Sequence, residues 1–144
     1  MLKLIAARTA KAGPEVLWQL LQERPDGANI SHNKNTARWE EHVHFVEHHP
    51  YRSWMLIQNS FGEFVGAIYL TDKNEIGIFI LKAHQRKGYA REAIRMVTSL
   101  YPPLPAISGS RRGKFVANIA PGNDVSVALF KGLGAKHIQN TYEF

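Results

Sequence analysis

The stretch NEIGIFILKAHQRKGYAREAIR, residues 74–95, sets the fold of the chain. Isoleucines alternate with other residues over 75–81, which predicts a strand. A short basic loop follows at 82–87, and helix-forming residues resume after Gly88. Because the first N–H groups of a helix have no acceptors within it, a strand, a glycine-containing loop and a helix N-terminus in this order form an anion site. We therefore expect this loop to hold a diphosphate.

The composition indicates one globular domain over residues 1–144, long enough to bury a core without disulfides. The chain contains no cysteine, which excludes thiolate nucleophiles and cysteine-ligated zinc. No apolar run approaches the ~20 residues of a membrane span, and the N-terminus lacks the pattern of a signal peptide, so we expect a cytoplasmic protein that does not bind membranes. The net charge of +6 suits an anionic ligand.

Hydrophobic periodicity and turn residues divide the chain into strands and helices. The predicted strands cover residues 2–6, 54–58, 64–71, 75–81, 114–119 and 135–144. The predicted helices cover residues 15–22, a segment from about 36 to 49, residues 90–100 and a segment from about 124 to 132. Three of the strands follow one another directly, which predicts a meander at the centre of an α/β or α+β domain.

Two segments resemble the signature of the GNAT superfamily of N-acyltransferases. QRKGYA, residues 85–90, is similar to its acyl-CoA diphosphate motif, and NDVSVALFKGLGA, residues 123–135, is similar to its second motif. The order of the elements matches over essentially the whole chain. The resemblance implies a GNAT-like fold with a mixed, mostly antiparallel sheet of about six strands and about four flanking helices. In this fold the strand at 75–81 carries a bulge and splays from the strand at 114–119, which opens an acyl-CoA cleft.

The resemblance implies acetyl-CoA as the acyl donor and requires no metal. The residues that it places around the diphosphate are Gln85, Arg86, Lys87, Gly88, Tyr89 and Ala90. The pantetheine arm would pair with the main chain of Phe79, Ile80 and Leu81. The remaining implied cofactor contacts are Asn118, Asn123, Ser126 and Phe130.

Acetyl transfer to an amine needs a base, because the attacking nitrogen must lose a proton. Glu75 is the preferred candidate, since its position at the start of the motif strand resembles that of the catalytic glutamate in the histone-acetylating branch of the family. Asp72 and His84 are weaker alternatives. Alternatively, Glu75 is an exposed carboxylate at the end of the strand with no catalytic role. A main-chain N–H near Leu81 is the expected donor to the oxyanion.

The family commonly uses a tyrosine to protonate the departing thiolate, but the matching position here is Phe130. Either the thiolate leaves unassisted or another group donates the proton. Tyr89 and Tyr142 do not fit the motif. The sequence therefore assigns no general acid.

The acceptor wall of the family is formed by the loop and helix that precede the meander. Candidate acceptor-binding residues there are Asn29, His32, Asn33, Trp39 and His42. Tryptophans at such positions belong to the core more often than to a ligand site. His44 and His48 lie four residues apart, but a solvated helix face explains this pair better than a metal site does.

The leading hypothesis is an N-acetyltransferase that transfers an acetyl group from acetyl-CoA directly to a primary amine within a ternary complex. The acceptor is an unidentified small molecule or peptide. A non-catalytic acyl-CoA-binding or regulatory module is the alternative, and the phenylalanine at position 130 is its main support. Binding to nucleic acid rests on charge alone and is not expected. Many relatives pair as dimers, so a homodimer is an option that the sequence leaves open.

Overall fold

The computed structural model describes residues 1–24 and 38–144. Its strands are β1 (Lys3–Ala6), β2 (Ser53–Gln58), β3 (Phe64–Leu70) and β4 (Ile76–Ile80). Its helices are α1 (Gly13–Glu23), α2 (Trp39–His48), α3 (Tyr89–Leu100) and α4 (Asp124–Gly132). A single tight helical turn, Lys82–His84, follows β4. The four predicted helices and the first four predicted strands are confirmed.

The four strands form one antiparallel sheet in the order β1-β2-β3-β4. Alternate residues of a strand point to opposite faces, so the sheet has two apolar faces. On one face, α1 and α2 pack against a cluster that includes Leu56, Ala67 and Leu81. On the other face, α3 packs against the isoleucines of β3 and β4, and α4 adds partly buried side chains to that cluster. A sheet with both faces covered explains why β3 and β4 are apolar almost throughout.

The described part of the chain has four strands where the sequence suggested about six. Residues 114–119 make one isolated bridge, between Val116 and Glu75, and form no strand. Residues 135–144 also form no strand, and all of them are exposed. β-propensity reports how well a segment fits beside a partner, but residues 114–119 meet β4 only at Val116, and residues 135–144 pair with no described strand. Both predicted strands are therefore wrong.

The bridge at Val116 marks the point at which this segment separates from the sheet. The Ile76 N–H donates to the Val116 carbonyl at 2.8 Å, and the Val116 N–H donates to the Asn74 carbonyl at 2.9 Å. The pairing is parallel and does not extend further along β4. The expected bulge in this strand is absent, since β4 pairs with β3 in unbroken register; the irregular register lies between β2 and β3, at Ile57 and Gln58. Beyond this bridge the segment forms no ladder with β4, as the expected splay requires, although the segment is not a strand.

Asn74 holds the closed end of this splay. It is fully buried, and its backbone adopts a φ of 64°, a left-handed conformation that asparagine tolerates better than most residues do. Its side-chain amide donates to the carbonyls of Leu104 and Arg112 at 2.9 and 2.8 Å, and its side-chain oxygen accepts from the Leu104 N–H at 2.8 Å. One side chain therefore ties the β3–β4 turn to the two segments that lead to Val116.

We expect Asn74→Ala to lower the free energy of unfolding by about 3 kcal/mol, because it leaves buried main-chain groups unpaired and places a Cβ-bearing residue at positive φ without a side-chain hydrogen bond. Chemical denaturation measures this. Asn74→Gly relieves the backbone conformation but also removes the amide, so it separates the two contributions. Asn74→Gly should therefore lose less stability than Asn74→Ala, and wild-type stability in Asn74→Ala would contradict the stabilising role of the three hydrogen bonds.

Candidate active site

The loop that enters α3 is open on its outer side. Gly88 precedes the helix with a φ of 80°, and Arg86 has a φ of 63°. No side chain among the described residues caps the helix, and no described atom lies within 4 Å of the position that a Cβ on Gly88 would occupy. Residues 85–88 are exposed. The N–H groups of the first turn therefore face open space, beside the positive charges of Arg86 and Lys87, as an anion site requires.

Gln85 ties this loop to the end of β4. Its side-chain amide donates to the Ile80 carbonyl at 2.9 Å. The contact fixes the distance between the anion site and the edge of the strand. The structure thus brings the predicted diphosphate loop and the predicted pantetheine strand together at one end of the cleft.

The direction of the main-chain groups of β4 follows from two hydrogen bonds to β3. The Thr71 N–H donates to the Glu75 carbonyl at 3.0 Å, and the Leu81 N–H donates to the Val65 carbonyl at 2.9 Å. Since alternate residues bond in opposite directions, odd-numbered residues face β3, and the N–H groups of Ile78 and Ile80 face the cleft. The Leu81 N–H is therefore engaged within the sheet, and the expected oxyanion donor near Leu81 moves to Ile78 or Ile80.

Glu75 lies at the closed end of the cleft and is half-buried. One of its carboxylate oxygens accepts from the Thr71 hydroxyl at 2.9 Å, and the other accepts from the Asn118 amide at 2.6 Å. These two contacts fix the carboxylate between the splayed segments. Each oxygen keeps a lone pair, so the group can still accept a proton. Asn118 thereby contacts the candidate base directly, in addition to its implied place beside the cofactor.

A group of aromatic side chains that the sequence did not single out covers the same region of β4. Tyr69 stacks on Tyr51 with a centroid distance of 4.4 Å, and the Arg24 guanidinium lies 5.9 Å from the Phe79 ring centroid. Burial raises the pKa of Tyr51 to about 12 and also raises the pKa of Tyr69, while the Arg24 charge lowers both. The sequence carried one signal for this group: Gly77 interrupts a strand of isoleucines, and such a glycine often marks a close approach.

The second motif forms the N-terminus of α4. The Asn123 side-chain oxygen accepts from the Ser126 N–H at 3.2 Å and caps the helix. Phe130 packs against the core beside α3, and so does Tyr89. Tyr142 is 83% exposed. Tyr89 and Tyr142 therefore stay unassigned as general acids.

The acceptor candidates are only partly described. Asn29, His32 and Asn33 lie outside the described residues. His42 is buried, its ring nitrogen lies 2.8 Å from the Pro14 carbonyl, and burial lowers its pKa while that hydrogen bond acts in the opposite direction. Trp39 packs edge-on against Trp18 of α1 at 5.5 Å. His42 and Trp39 therefore join α2 to α1.

The two weaker candidates for the base, Asp72 and His84, lie in different surroundings from Glu75. Asp72 is exposed, and its carbonyl accepts from the Arg111 side chain at 2.9 Å. His84 lies in the turn after β4, and its ring Nδ1 is buried without a hydrogen-bond partner among the described residues. The rings of His44 and His48 stack at 4.3 Å on α2. Glu75 is the candidate base that the structure fixes by side-chain hydrogen bonds at the cleft.

A family model described as an acetyltransferase (GNAT) domain matches residues 9–136. The chain belongs to the GNAT acetyltransferase family. The resemblance inferred from the two motifs is thereby confirmed. No curated protein matches the chain in a comparison of sequences.

Solved GNAT structures share the fold at low sequence identity. Spermidine N-acetyltransferase from Vibrio cholerae, solved with CoA and spermine, is 18% identical with a TM-score of 0.69, over 92% of this chain and 79% of that chain. An acetyltransferase from Thermus thermophilus is 20% identical with a TM-score of 0.67, over 97% and 90%. The yncA protein of Salmonella typhimurium, solved with its cofactor acetyl-CoA, is 18% identical with a TM-score of 0.62, over 93% and 78%. These likenesses establish the GNAT fold.

Within the described parts of the chain, no helix has the length and apolar character that are needed to cross a bilayer.

Proposed function

We propose that this GNAT domain transfers the acetyl group of acetyl-CoA to a primary amine by direct attack within a ternary complex. The observation that carries the proposal is the position of Glu75. A fixed carboxylate lies at the closed end of a cleft whose other end is an uncapped helix N-terminus with positive charge. An acyl carrier with a diphosphate at one end and a thioester at the other matches that layout.

The dimensions of β4 suit the pantetheine arm. The diphosphate would bind the N–H groups of 86–90, as the open loop allows. From Ile80 to Ile76 the strand rises about 13 Å at roughly 3.3 Å per residue, which is the length of edge along which an extended amide chain can pair. The N–H groups of Ile78 and Ile80 face this edge. The thioester then lies near the bridge of Glu75 and Val116.

The chemistry follows from this placement. The acceptor amine must be neutral to attack, so its ammonium proton has to leave, and Glu75 is placed to accept a proton from it. Attack on the thioester carbonyl produces an oxyanion, which the N–H of Ile78 or Ile80 can stabilise. Collapse of the intermediate breaks the carbon–sulfur bond and releases CoA and the acetylated amine.

The acceptor is the open part of the proposal. The described wall on the α1 and α2 side of β4 is aromatic, and one neighbouring protein of the same fold was solved with spermine. Polyamines are therefore the first acceptors to test, followed by amino sugars, amino acids and peptide N-termini. Measured release of CoA from acetyl-CoA with such a panel tests the proposal.

A non-catalytic acyl-CoA-binding module is the competing proposal, and the packing of Phe130 against the core, with no proton to donate, is the observation that favours it. The same panel distinguishes the two. CoA release with at least one amine supports the enzyme. Tight binding of acetyl-CoA by calorimetry without release on any amine supports the module.

A further inference from the structure

The hydroxyl of Tyr69 lies over β4 at the closed end of the cleft. Tyr69 is directly opposite Gly77 in the pairing of β3 with β4. A Cβ on Gly77 would overlap the Tyr69 ring carbons and would lie 2.5 Å from the Tyr69 hydroxyl oxygen. The ring therefore crosses the neighbouring strand over the one residue of β4 that has no side chain, and its hydroxyl reaches the part of β4 between Glu75 and Phe79.

The surroundings of Tyr69 hold this ring in place and leave its hydroxyl available. The ring stacks on Tyr51 with an interplanar angle of 12°. Burial is the main cause that raises the pKa of Tyr69; the charge of Arg24 lowers it and that of Glu75 raises it. The Tyr69 hydroxyl makes no hydrogen bond with any residue that the structure describes. A bound molecule can therefore form a hydrogen bond with this hydroxyl.

The other four of the five tyrosines are used or placed differently. Tyr89 packs against the core beside α3, and Tyr142 is exposed. The Tyr101 ring lies under Arg52, with its hydroxyl 3.5 Å from Ser53. Tyr51 precedes β2 and stacks on Tyr69. Tyr69 is the phenol that reaches β4.

We propose that Tyr69 is the catalytic proton donor to the sulfur of CoA, the role for which position 130 offers only a phenyl ring. The proposal rests on the function proposed above. The amine, already neutral because its ammonium proton has passed through Glu75 to water, forms a bond from its nitrogen to the thioester carbonyl carbon and gives a second proton to Glu75. The carbon–sulfur bond breaks, and the sulfur takes the phenolic proton of Tyr69. Glu75 then returns its proton to the Tyr69 oxygen, directly or through water, so acetyl-CoA and amine become CoA thiol and amide with no net change in the protein.

The test compares Tyr69→Phe with Tyr51→Phe, each of which removes one oxygen and keeps a ring in the stack. With the best acceptor of the amine panel, we expect Tyr69→Phe to lower kcat about 100-fold, as loss of a general acid does, with little change in KM or in the Kd of CoA. Tyr51→Phe should stay within about threefold of wild type. The unchanged Kd of CoA also shows that each variant is folded.

The pH profile gives a readout that a structural role would not change. The donor is active when protonated, so the wild-type rate falls as the pH rises through the pKa of Tyr69, which lies above its ordinary value. Tyr69→Phe should lack this alkaline decrease. Gly77→Ala, which displaces the ring and keeps the hydroxyl, should also lower kcat with CoA still bound.

Three outcomes would overturn the assignment: a wild-type kcat in Tyr69→Phe, an equal loss in Tyr51→Phe, or an alkaline decrease that persists in Tyr69→Phe. Absence of CoA release by the wild-type protein with every amine would contradict the proposed function itself, and the step assigned to Tyr69 with it. Wild-type turnover with an unaffected Tyr69→Phe variant contradicts only the assignment of Tyr69.

Discussion

Gly88→Glu should abolish the binding of acetyl-CoA. The new side chain enters the loop that faces the diphosphate, and at an effective dielectric constant of about 20 a carboxylate roughly 6 Å from one diphosphate charge costs about 3 kcal/mol. That is a loss of about 100-fold in affinity before any steric effect is counted. Calorimetric titration with acetyl-CoA measures it. No described atom lies within 4 Å of the new Cβ, so the fold should persist.

Gly62→Glu is the matched control. Gly62 has a φ of 81°, against 80° for Gly88, and its Cβ position is equally open, but it lies in the turn between β2 and β3. Both substitutions therefore impose the same backbone strain and the same charge. Loss of binding in both variants, or in neither, would contradict the assignment of the loop as the diphosphate site.

Glu75→Gln should lower kcat about 100-fold near neutral pH and leave the affinity for acetyl-CoA unchanged, because it removes a base without altering the loop. The deficit should shrink as the pH rises, since more of the acceptor amine is then neutral without help. A pH–rate profile with saturating acetyl-CoA measures both effects.

Glu63→Gln is the control for that substitution. Glu63 accepts from the Asn59 side chain at 2.9 Å in the turn between β2 and β3, so it has a similar asparagine partner outside the cleft. It should retain wild-type activity. If the profile of Glu75→Gln matches that of the wild type, Glu75 is not the base and its contacts with Thr71 and Asn118 are structural.

The sequence predicted the elements whose pattern is local. The alternation over 75–81, the glycine at 88 and the helix-forming run after it produced a strand, an open loop and α3, as expected. Asn123, directly before the helix predicted from about 124 to 132, is a residue type that favours the cap position, and it caps α4. Each of these features depends on residues that are close together along the chain, so the residue types alone were sufficient.

The features that depend on a partner were not predictable in the same way. The segment at 114–119 has the composition of a strand but pairs only through Val116. The engagement of the Leu81 N–H with Val65 depends on which way the pairing of β3 and β4 runs. The position of Tyr69 over Gly77 depends on their register, which no single segment specifies. Register is a property of two paired strands, so the residue pattern of one strand does not determine it.

Within the described residues, the outer edge of β4 pairs only at Val116, and we expect this edge to affect how the protein without acyl-CoA behaves in solution. A row of unpaired main-chain donors and acceptors on an isoleucine-rich strand can pair with a strand of another chain. Proteins usually prevent this with charged side chains or by covering the edge with another segment. Here the bridge at Val116 closes one end of the edge, and the Gln85 side chain occupies the Ile80 carbonyl at the other. The stretch between them stays short. An acyl-CoA bound there would pair with the remaining part of the edge, so the substrate would also prevent self-association through β4.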